Sequence, residues 1–375
     1  MAMPGNKQAE FDDRSSPASS LAEWLRTKIG AHGPMPVNSF MAHCLTHPRF
    51  GYYRKARAIG ANADFVTAPE VSQVFGELIG IWCAAAWDTM GRPDAIRIVE
   101  LGPGRGTLMA DALRALKVVP ELLRRLKIHL IDINETLIAE QRRKLRDVDG
   151  EIIWSDAVPP FEGATILIAN EYLDTVAIRQ LVFSNGSWRE RCVSLDDESR
   201  LAFVPGPCVS GELQALGALA KPVDGDILEL RSWTATIGDT LQSLAKQGPF
   251  AALFIDYGYG GPAIGDTFQA VRGHAHDHPL AHPGEADLTA HVDFATFAKT
   301  MADLGFAVDG PISQAQFLTG LGIGPRATRL MQSASTRQVN EIEVGIQRLM
   351  APQGMGGRFK AIAVRSSDIG PLAPF

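Results

Sequence analysis

The run Ile96-Arg97-Ile98-Val99-Glu100-Leu101-Gly102-Pro103-Gly104-Arg105-Gly106-Thr107 decides how this chain is read. Apolar, β-branched residues end in an acid, glycines follow at alternate positions, and a helix-forming stretch (108–117) begins at once. That order predicts a strand, a tight turn and a helix N-terminus, the arrangement that holds a nucleotide-like ligand at the C-terminal edge of a parallel sheet. A dinucleotide fingerprint spaces its glycines G-x-G-x-x-G. Here the third glycine, Gly106, comes one residue early, and Thr107 takes the expected place. Glu100 also points a carboxylate at the turn. That charge repels a pyrophosphate and suits a cation.

Outward from the turn, apolar strand candidates lie at 96–100, 127–132, 151–155, 165–169 and 250–256. Helical segments separate the first three, as a parallel sheet requires. Before them, Val71, Val74, Phe75, Leu78, Ile79 and Trp82 recur at helical spacing and predict one buried stripe on a helix over 70–90. Segments 305–308 and 359–364 are placed to form the last two strands, with a helix over 291–304 before them. Between the fourth and fifth strands runs a long insertion, about 178–245. It reads as a hairpin turning at Ser184-Asn185-Gly186, followed by helix over 211–244. The expected fold is α/β: a Rossmann-like sheet, mostly parallel with an antiparallel last strand, an N-terminal helical segment and that insertion. Residues 1–20 read as a disordered tail, 21–92 as the helical segment with a cofactor-covering loop, and 93–366 as the ligand-binding domain.

Composition narrows the class. A chain of 375 residues with 46% hydrophobic and 21% charged residues is ordinary for a globular protein. A net charge of −6 advertises no nucleic-acid surface. Cys44, Cys83, Cys192 and Cys208 lack C-x-x-C spacing and read as buried thiols in a reducing compartment. No apolar run reaches membrane-spanning length, and the N-terminus lacks signal-peptide and transit-peptide character. The expected location is the cytoplasm of a bacterial-like cell, or the mitochondrial matrix of a eukaryotic one. His274, His276, His278, His282 and His291 share a loop region with Pro279, Pro283 and Gly284 and no cysteine, so no metal site is expected.

The pattern E-x-G-x-G-x-G resembles the first motif of class I methyltransferases. The resemblance implies S-adenosyl-L-methionine as cofactor, held by Glu100, Gly102, Gly104 and Gly106. In such sheets the ligand-contacting residues follow the strands' C-terminal ends. Asp132, after the second strand, is placed to accept bonds from ribose hydroxyls, and Asp156, after the third, from adenine's amine. Either acid also reads as a turn or cap residue. The fourth strand runs into Asn170-Glu171-Tyr172-Leu173-Asp174, where the methyl acceptor lies. If a helical turn starts there, Glu171 and Asp174 share a face. Paired carboxylates suit a guanidinium fork, which must be brought against a sulfonium of like charge. The competing reading is one capping acid and one solvated acid.

Taken together, the chain resembles the MidA-like family of class I methyltransferases, which includes the mitochondrial complex I assembly factor that acts on arginine. The resemblance runs from about Leu21 to Val364. It rests on Gly51-Tyr52-Tyr53, on Asp64 to Glu70 with Gln73 and Phe75-Gly76-Glu77, and on the glycine turn. Asn170 to Asp174, Asp256-Tyr257-Gly258-Tyr259 and Asp287 to Phe294 complete it. It implies Thr67 as a further cofactor-binding residue and Asn170 as a third catalytic one beside Glu171 and Asp174. It also implies symmetric dimethylation of an arginine on a quinone-module subunit of respiratory complex I. Two places depart from the family pattern: Ala63 stands for a glycine, and Thr175-Val176-Ala177 for Ala-Leu-Pro beside the acceptor motif. A small-molecule methyltransferase and a non-catalytic assembly chaperone remain as alternatives. An NAD-dependent oxidoreductase is disfavoured by the glycine spacing.

Overall fold

The computed structural model describes residues 18–55, 67–148, 150–209, 221–261 and 264–375. The tail through Pro17, the Ala63–Val66 part of the family motif and the first third of the helix expected over 211–244 lie outside the described residues. The chain forms two compact units: one of Met1–Ala58, Thr175–Thr236 and Pro262–Ala290, the other of Ile59–Asp174, Ile237–Gly261 and His291–Phe375.

The second unit is built on seven strands: β1 (Ile96–Leu101), β2 (Leu126–Ile131), β3 (Glu151–Ser155), β4 (Ala164–Asn170), β5 (Phe250–Tyr259), β6 (Ala307–Ser313) and β7 (Phe359–Arg365). Their order across the sheet is β3-β2-β1-β4-β5-β7-β6, with β7 antiparallel to both neighbours and β1 to β5 mutually parallel. The short strand Val292–Asp293 extends the sheet beside the far end of β5. Every residue of β1 is buried, as is all of β4 except its last, which is why both read as mainly apolar rather than alternating, with Arg97, Glu100 and Thr165 as buried exceptions. Chain order reverses between β1 and β4. Their C-terminal ends therefore open a crevice, the ligand position of doubly wound sheets.

The predicted stripe packs as expected from Val74 onward, while Val71 is only half-buried and lies on the preceding short helix. Val74, Phe75, Leu78, Ile79 and Trp82 are buried on the helix Gln73–Thr89. Gly76 and Gly80 let that helix lie against Thr107–Leu116; a Cβ at Gly80 would stand 2.5 Å from the Ala112 carbonyl oxygen. The helix expected over 70–90 is in fact two, Ala68–Val71 and Gln73–Thr89. Ser72 is extended between them, its hydroxyl accepting from the Val74 N–H. The helix expected from His291 starts at Phe294, because Asp293 caps it after the short strand. Between β6 and β7 lie four helices the sequence reading did not place, Gln314–Gly320, Ile323–Met331, Thr336–Met350 and the single turn Met355–Arg358. The first and third begin with Ser-x-x-Gln capping boxes at Ser313 and Ser335.

The first unit brings together segments far apart in sequence. Met35–Pro36 pairs antiparallel with Ser187–Leu195, beside Arg179–Ser184, Leu201–Cys208 and Ile227–Leu230. The N-terminal helices Leu21–His32 and Val37–Thr46 thus share a unit with the insertion, whereas the spacing of elements predicts them as separate parts. The hairpin turns at Asn185 and Gly186, with φ of 52° and 74°, the geometry a two-residue loop needs. The histidine-rich segment carries the strands Gln269–Arg272, Ala275–Asp277 and Asp287–Thr289 rather than open loop. There His282 Nδ1 lies 2.6 Å from Asp277 Oδ2. Among the described residues no group of histidine, cysteine and acid is arranged to hold a metal, and no helix is long and apolar enough to cross a membrane.

Candidate active site

The glycine turn leaves the end of β1 sideways. Gly102 donates to the Ile131 carbonyl at 3.0 Å, so the turn runs across the end of β2. Gly102, Gly104 and Gly106 all have left-handed backbone, with φ of 62°, 53° and 74°. Only glycine adopts that three times in five residues without strain. A Cβ at Gly102 would meet the Tyr172 ring at 3.1 Å. Gly106 then opens the helix Thr107–Leu116.

Glu100 sits beneath this turn, 3% exposed. Among the described residues its Oε2 has no hydrogen-bond partner. Burial, and next the nearby Asp132, push its carboxyl up to about 8. A carboxylate placed there lacks a cation. Asp132 follows β2. Its Oδ1 accepts from the Asn134 N–H at 2.9 Å and its Oδ2 from Gln141 Nε2 at 2.8 Å. The same Gln141 amide donates to the Gly104 carbonyl at 2.7 Å and accepts from Trp154 Nε1 at 3.0 Å. Gln141 is thus the buried bracket that holds turn, acid and β3 together. Sequence reasoning missed it, since nothing marks one glutamine on the polar helix Glu135–Lys144. Asp156 stands exposed on the bend after β3.

The short helix Ala68–Val71 reaches both sides of the crevice. Glu70 Oε1 meets the Thr107 hydroxyl at 2.5 Å beside the glycine turn, and Ala68 N–H donates to Glu171 Oε1 at 2.9 Å. Thr67, predicted at the cofactor, caps this helix. Its backbone therefore adjoins Glu171.

At the end of β4, Glu171 has φ of 52°, a left-handed conformation unusual for a side-chain-bearing residue. No helical turn begins there. A 3-10 turn, Leu173–Thr175, starts two residues later and takes only Asp174, so the face-sharing argument fails in its original form. The kinked backbone and the strand pairing gather the acids instead. Glu171 N–H donates to the Ile255 carbonyl on β5 at 2.8 Å, and Asp174 N–H to Asp256 Oδ2 at 3.1 Å. Asn170 Nδ2 donates to Glu171 Oε1 at 3.2 Å, while its own Oδ1 is buried with no partner among the described residues. Burial raises Glu171 to about 7; the Ala68 N–H opposes the rise and Asp174 adds to it. Asp256, wholly buried within β5, is held well above the usual carboxylate range by burial and then by Asp174. Sequence reasoning left Asp256 out of the site, although it ends the strand expected over 250–256; the observed strand runs on to Tyr259.

With this geometry in hand, the comparisons become specific. A family of S-adenosyl-L-methionine-dependent methyltransferases matches residues 78–312. The chain belongs to that family. The Xenopus tropicalis relative named "Protein arginine methyltransferase NDUFAF7, mitochondrial" is 33% identical over 96% of this chain and 89% of its own length. The Homo sapiens relative of the same name is 32% identical over 96% and 85%. A COG1565 superfamily member from Burkholderia thailandensis, crystallised with S-adenosyl-homocysteine, superposes with a TM-score of 0.83. It is 29% identical, over 94% of this chain and 93% of that one. Those two curated relatives are named as mitochondrial, and neither supports the cytoplasmic location expected from composition.

S-adenosylmethionine is thus the methyl donor of this methyltransferase, and the residues present fit it. An unpartnered buried carboxylate oxygen awaits a cation, and three left-handed glycines leave room above it.

Proposed function

We propose that this methyltransferase transfers the methyl group to an arginine side chain of a protein. The substrate that the resemblance implies is a quinone-module subunit of respiratory complex I, with symmetric dimethylation as the product. The observation that carries the reading is the acid cluster of Glu171 and Asp174 just beyond β4 with Asp256 on β5, on the acceptor side of the crevice. When bound, the cofactor supplies a methyl group on a positively charged sulfur. Bringing a second cation against that sulfur is unfavourable unless fixed negative charge stands by. Glu171 meets this need: Ala68 and Asn170 hold its Oε1 from one side, orienting the carboxylate toward a guanidinium. On the donor side, Glu100 and the glycines Gly102, Gly104 and Gly106 hold the sulfonium amino acid, and Asp132 the ribose. Asp156 and Thr67 are peripheral to this set. The names of the curated relatives support an arginine acceptor. The mitochondrial matrix or the bacterial cytoplasm is where such a subunit would be met.

Glu171→Gln tests the reading. Removing one charge used in the transition state should cost about 3 kcal/mol, on the order of a hundredfold in rate, with cofactor affinity unchanged. The assay is methyl transfer to the complex I subunit, read by mass spectrometry, with calorimetric titration of S-adenosylhomocysteine in parallel. Full activity in the variant removes Glu171 from the chemistry and revives a small-molecule acceptor.

A further inference from the structure

β4 delivers a neutral side chain to the acceptor side next to its acid. Asn170 is the last residue of the strand, opposite Ile255 of β5, and Glu171 follows with its left-handed backbone. Glu171 orients the Asn170 amide. Asn170 Nδ2 donates to Glu171 Oε1 at 3.2 Å, and that same oxygen accepts from the Ala68 N–H at 2.9 Å. The NH2 side of the amide therefore belongs toward the carboxyl, and its carbonyl oxygen is turned away. That Oδ1 is buried and, among the described residues, accepts no hydrogen bond. Both hydrogen bonds to the Glu171 carboxyl among the described residues fall on Oε1, which leaves Oε2 for another donor.

A buried amide oxygen without a donor is unfavourable unless a ligand supplies one. Here the ligand must bring N–H groups to two acceptors on neighbouring side chains. A terminal guanidinium nitrogen does so, because its two N–H bonds lie in one plane and diverge. The residue type at 170 fits the same need. An aspartate there would add a negative charge beside Glu171, whose own charge is disfavoured first by burial and also by Asp174. An amide supplies the acceptor without the charge.

We propose that Asn170 Oδ1 accepts one N–H of the guanidinium nitrogen about to be methylated while Glu171 Oε2 accepts the other, so that the site takes only a nitrogen still carrying two hydrogens. This rests on the arginine reading above and gives Asn170 the choice between nitrogens. In the transfer, one of the two N–H bonds breaks and its proton goes to the Glu171 carboxylate. The freed pair forms the new N–C bond, and the electron pair of the carbon–sulfur bond stays on sulfur. Carboxylate, guanidinium and sulfonium become carboxylic acid, methylguanidinium and neutral thioether. The methylated nitrogen keeps a single N–H. It no longer satisfies both acceptors, and its methyl group would stand against one of them. The second methyl group therefore goes to the other terminal nitrogen, and the product is symmetric.

The test compares two isomers of equal mass and charge as ligands of the full-length protein saturated with S-adenosylhomocysteine. N-acetylarginine amide with both methyl groups on one nitrogen keeps an NH2 group; the isomer with one methyl group on each nitrogen has none. In calorimetric titration at pH 7 the parent should bind the second isomer about tenfold more weakly than the first. Asn170→Ala should bind the two alike, with S-adenosylhomocysteine affinity unchanged. In turnover with S-adenosylmethionine on unmethylated N-acetylarginine amide, fragmentation of the dimethylated product should show the symmetric isomer from the parent and a mixture from Asn170→Ala. Equal binding of the two isomers by the parent overturns the proposal while leaving arginine as the acceptor, and so does an asymmetric product from the parent. Absence of any binding of the unmethylated compound overturns the arginine reading and this proposal with it. The parent measurements need no variant, so poor folding of Asn170→Ala does not shield the idea.

Discussion

Two acidic pockets lie at the ends of neighbouring strands, and they are assembled differently. The proposed donor pocket hangs on β1 and β2, and its acids, Glu100 and Asp132, each sit within two residues of a strand end and a turn. The proposed acceptor pocket draws Glu171 and Asp174 from beyond β4, Asp256 from β5 and an N–H from Ala68, residues separated by up to 188 positions in the chain. The first is a local motif laid on a sheet. The second exists only because β4 and β5 pair in one register and a short helix reaches across. Local motifs survive in sequence as spacing, whereas assembled pockets leave isolated acids that resemble caps.

That contrast can be broken or sharpened. The largest effect expected is on the stability of the cofactor-free protein against pH. Burial raises Glu100 to about 8 and Glu171 to about 7. Unfolded chains lose these protons near the ordinary carboxylate range, while the native state keeps them. Native stability is therefore full below that range and falls as pH rises through 7 and 8, by up to about 1.4 kcal/mol per pH unit for each group. Calorimetric melting between pH 5 and 8 should show this slope. S-adenosylhomocysteine, whose ammonium favours the Glu100 carboxylate, should flatten the donor share only. A slope abolished entirely by that ligand would mean the two pockets titrate as one.

Next comes Gly104→Val. A β-branched side chain at φ 53° is strained and occupies the approach to the turn. S-adenosylhomocysteine affinity should fall more than about a hundredfold, roughly 2.7 kcal/mol, with the melting temperature little changed. Retained binding would place the ligand elsewhere and erase the donor half of the comparison.

Gln141→Leu is smaller in reach and tests the bracket. It orphans Asp132 Oδ2, the Gly104 carbonyl and the Trp154 N–H, each worth about 1 kcal/mol or more where water does not reach. The expectation is an affinity loss of tens-fold with kcat at saturating cofactor preserved. A fall in kcat instead would couple the two pockets through the bracket.

The smallest effect is the most local. Ala68→Pro removes a single N–H from Glu171, and Thr67, at ψ 162°, already has the extended backbone that precedes proline comfortably. Methyl transfer should drop about tenfold through loss of one hydrogen bond to a charged group, with cofactor affinity intact. A change in cofactor affinity instead would assign the Thr67–Ala68 segment to the donor side, where the family resemblance puts Thr67.

The sequence alone determined the strand–turn–helix at 96–107, the strands that build the sheet, the antiparallel β7 and the placing of Glu100 and Asp132 at strand ends. Each of these is a short-range pattern: apolar runs for strands buried on both faces, and glycines where the backbone must be left-handed. Only the tertiary structure decided the rest. It set the break at Ser72, where a cap competes with a continuous apolar stripe that spacing alone cannot interrupt. It put the N-terminal helices with the insertion, through a two-residue pairing of Met35–Pro36 that no periodicity announces. It made Gln141 a bracket by burying it on an otherwise polar helix. And it brought Asp256 against Asp174, because the meeting of two acids is set by strand order and register, which are properties of the whole sheet and not of any window along the chain.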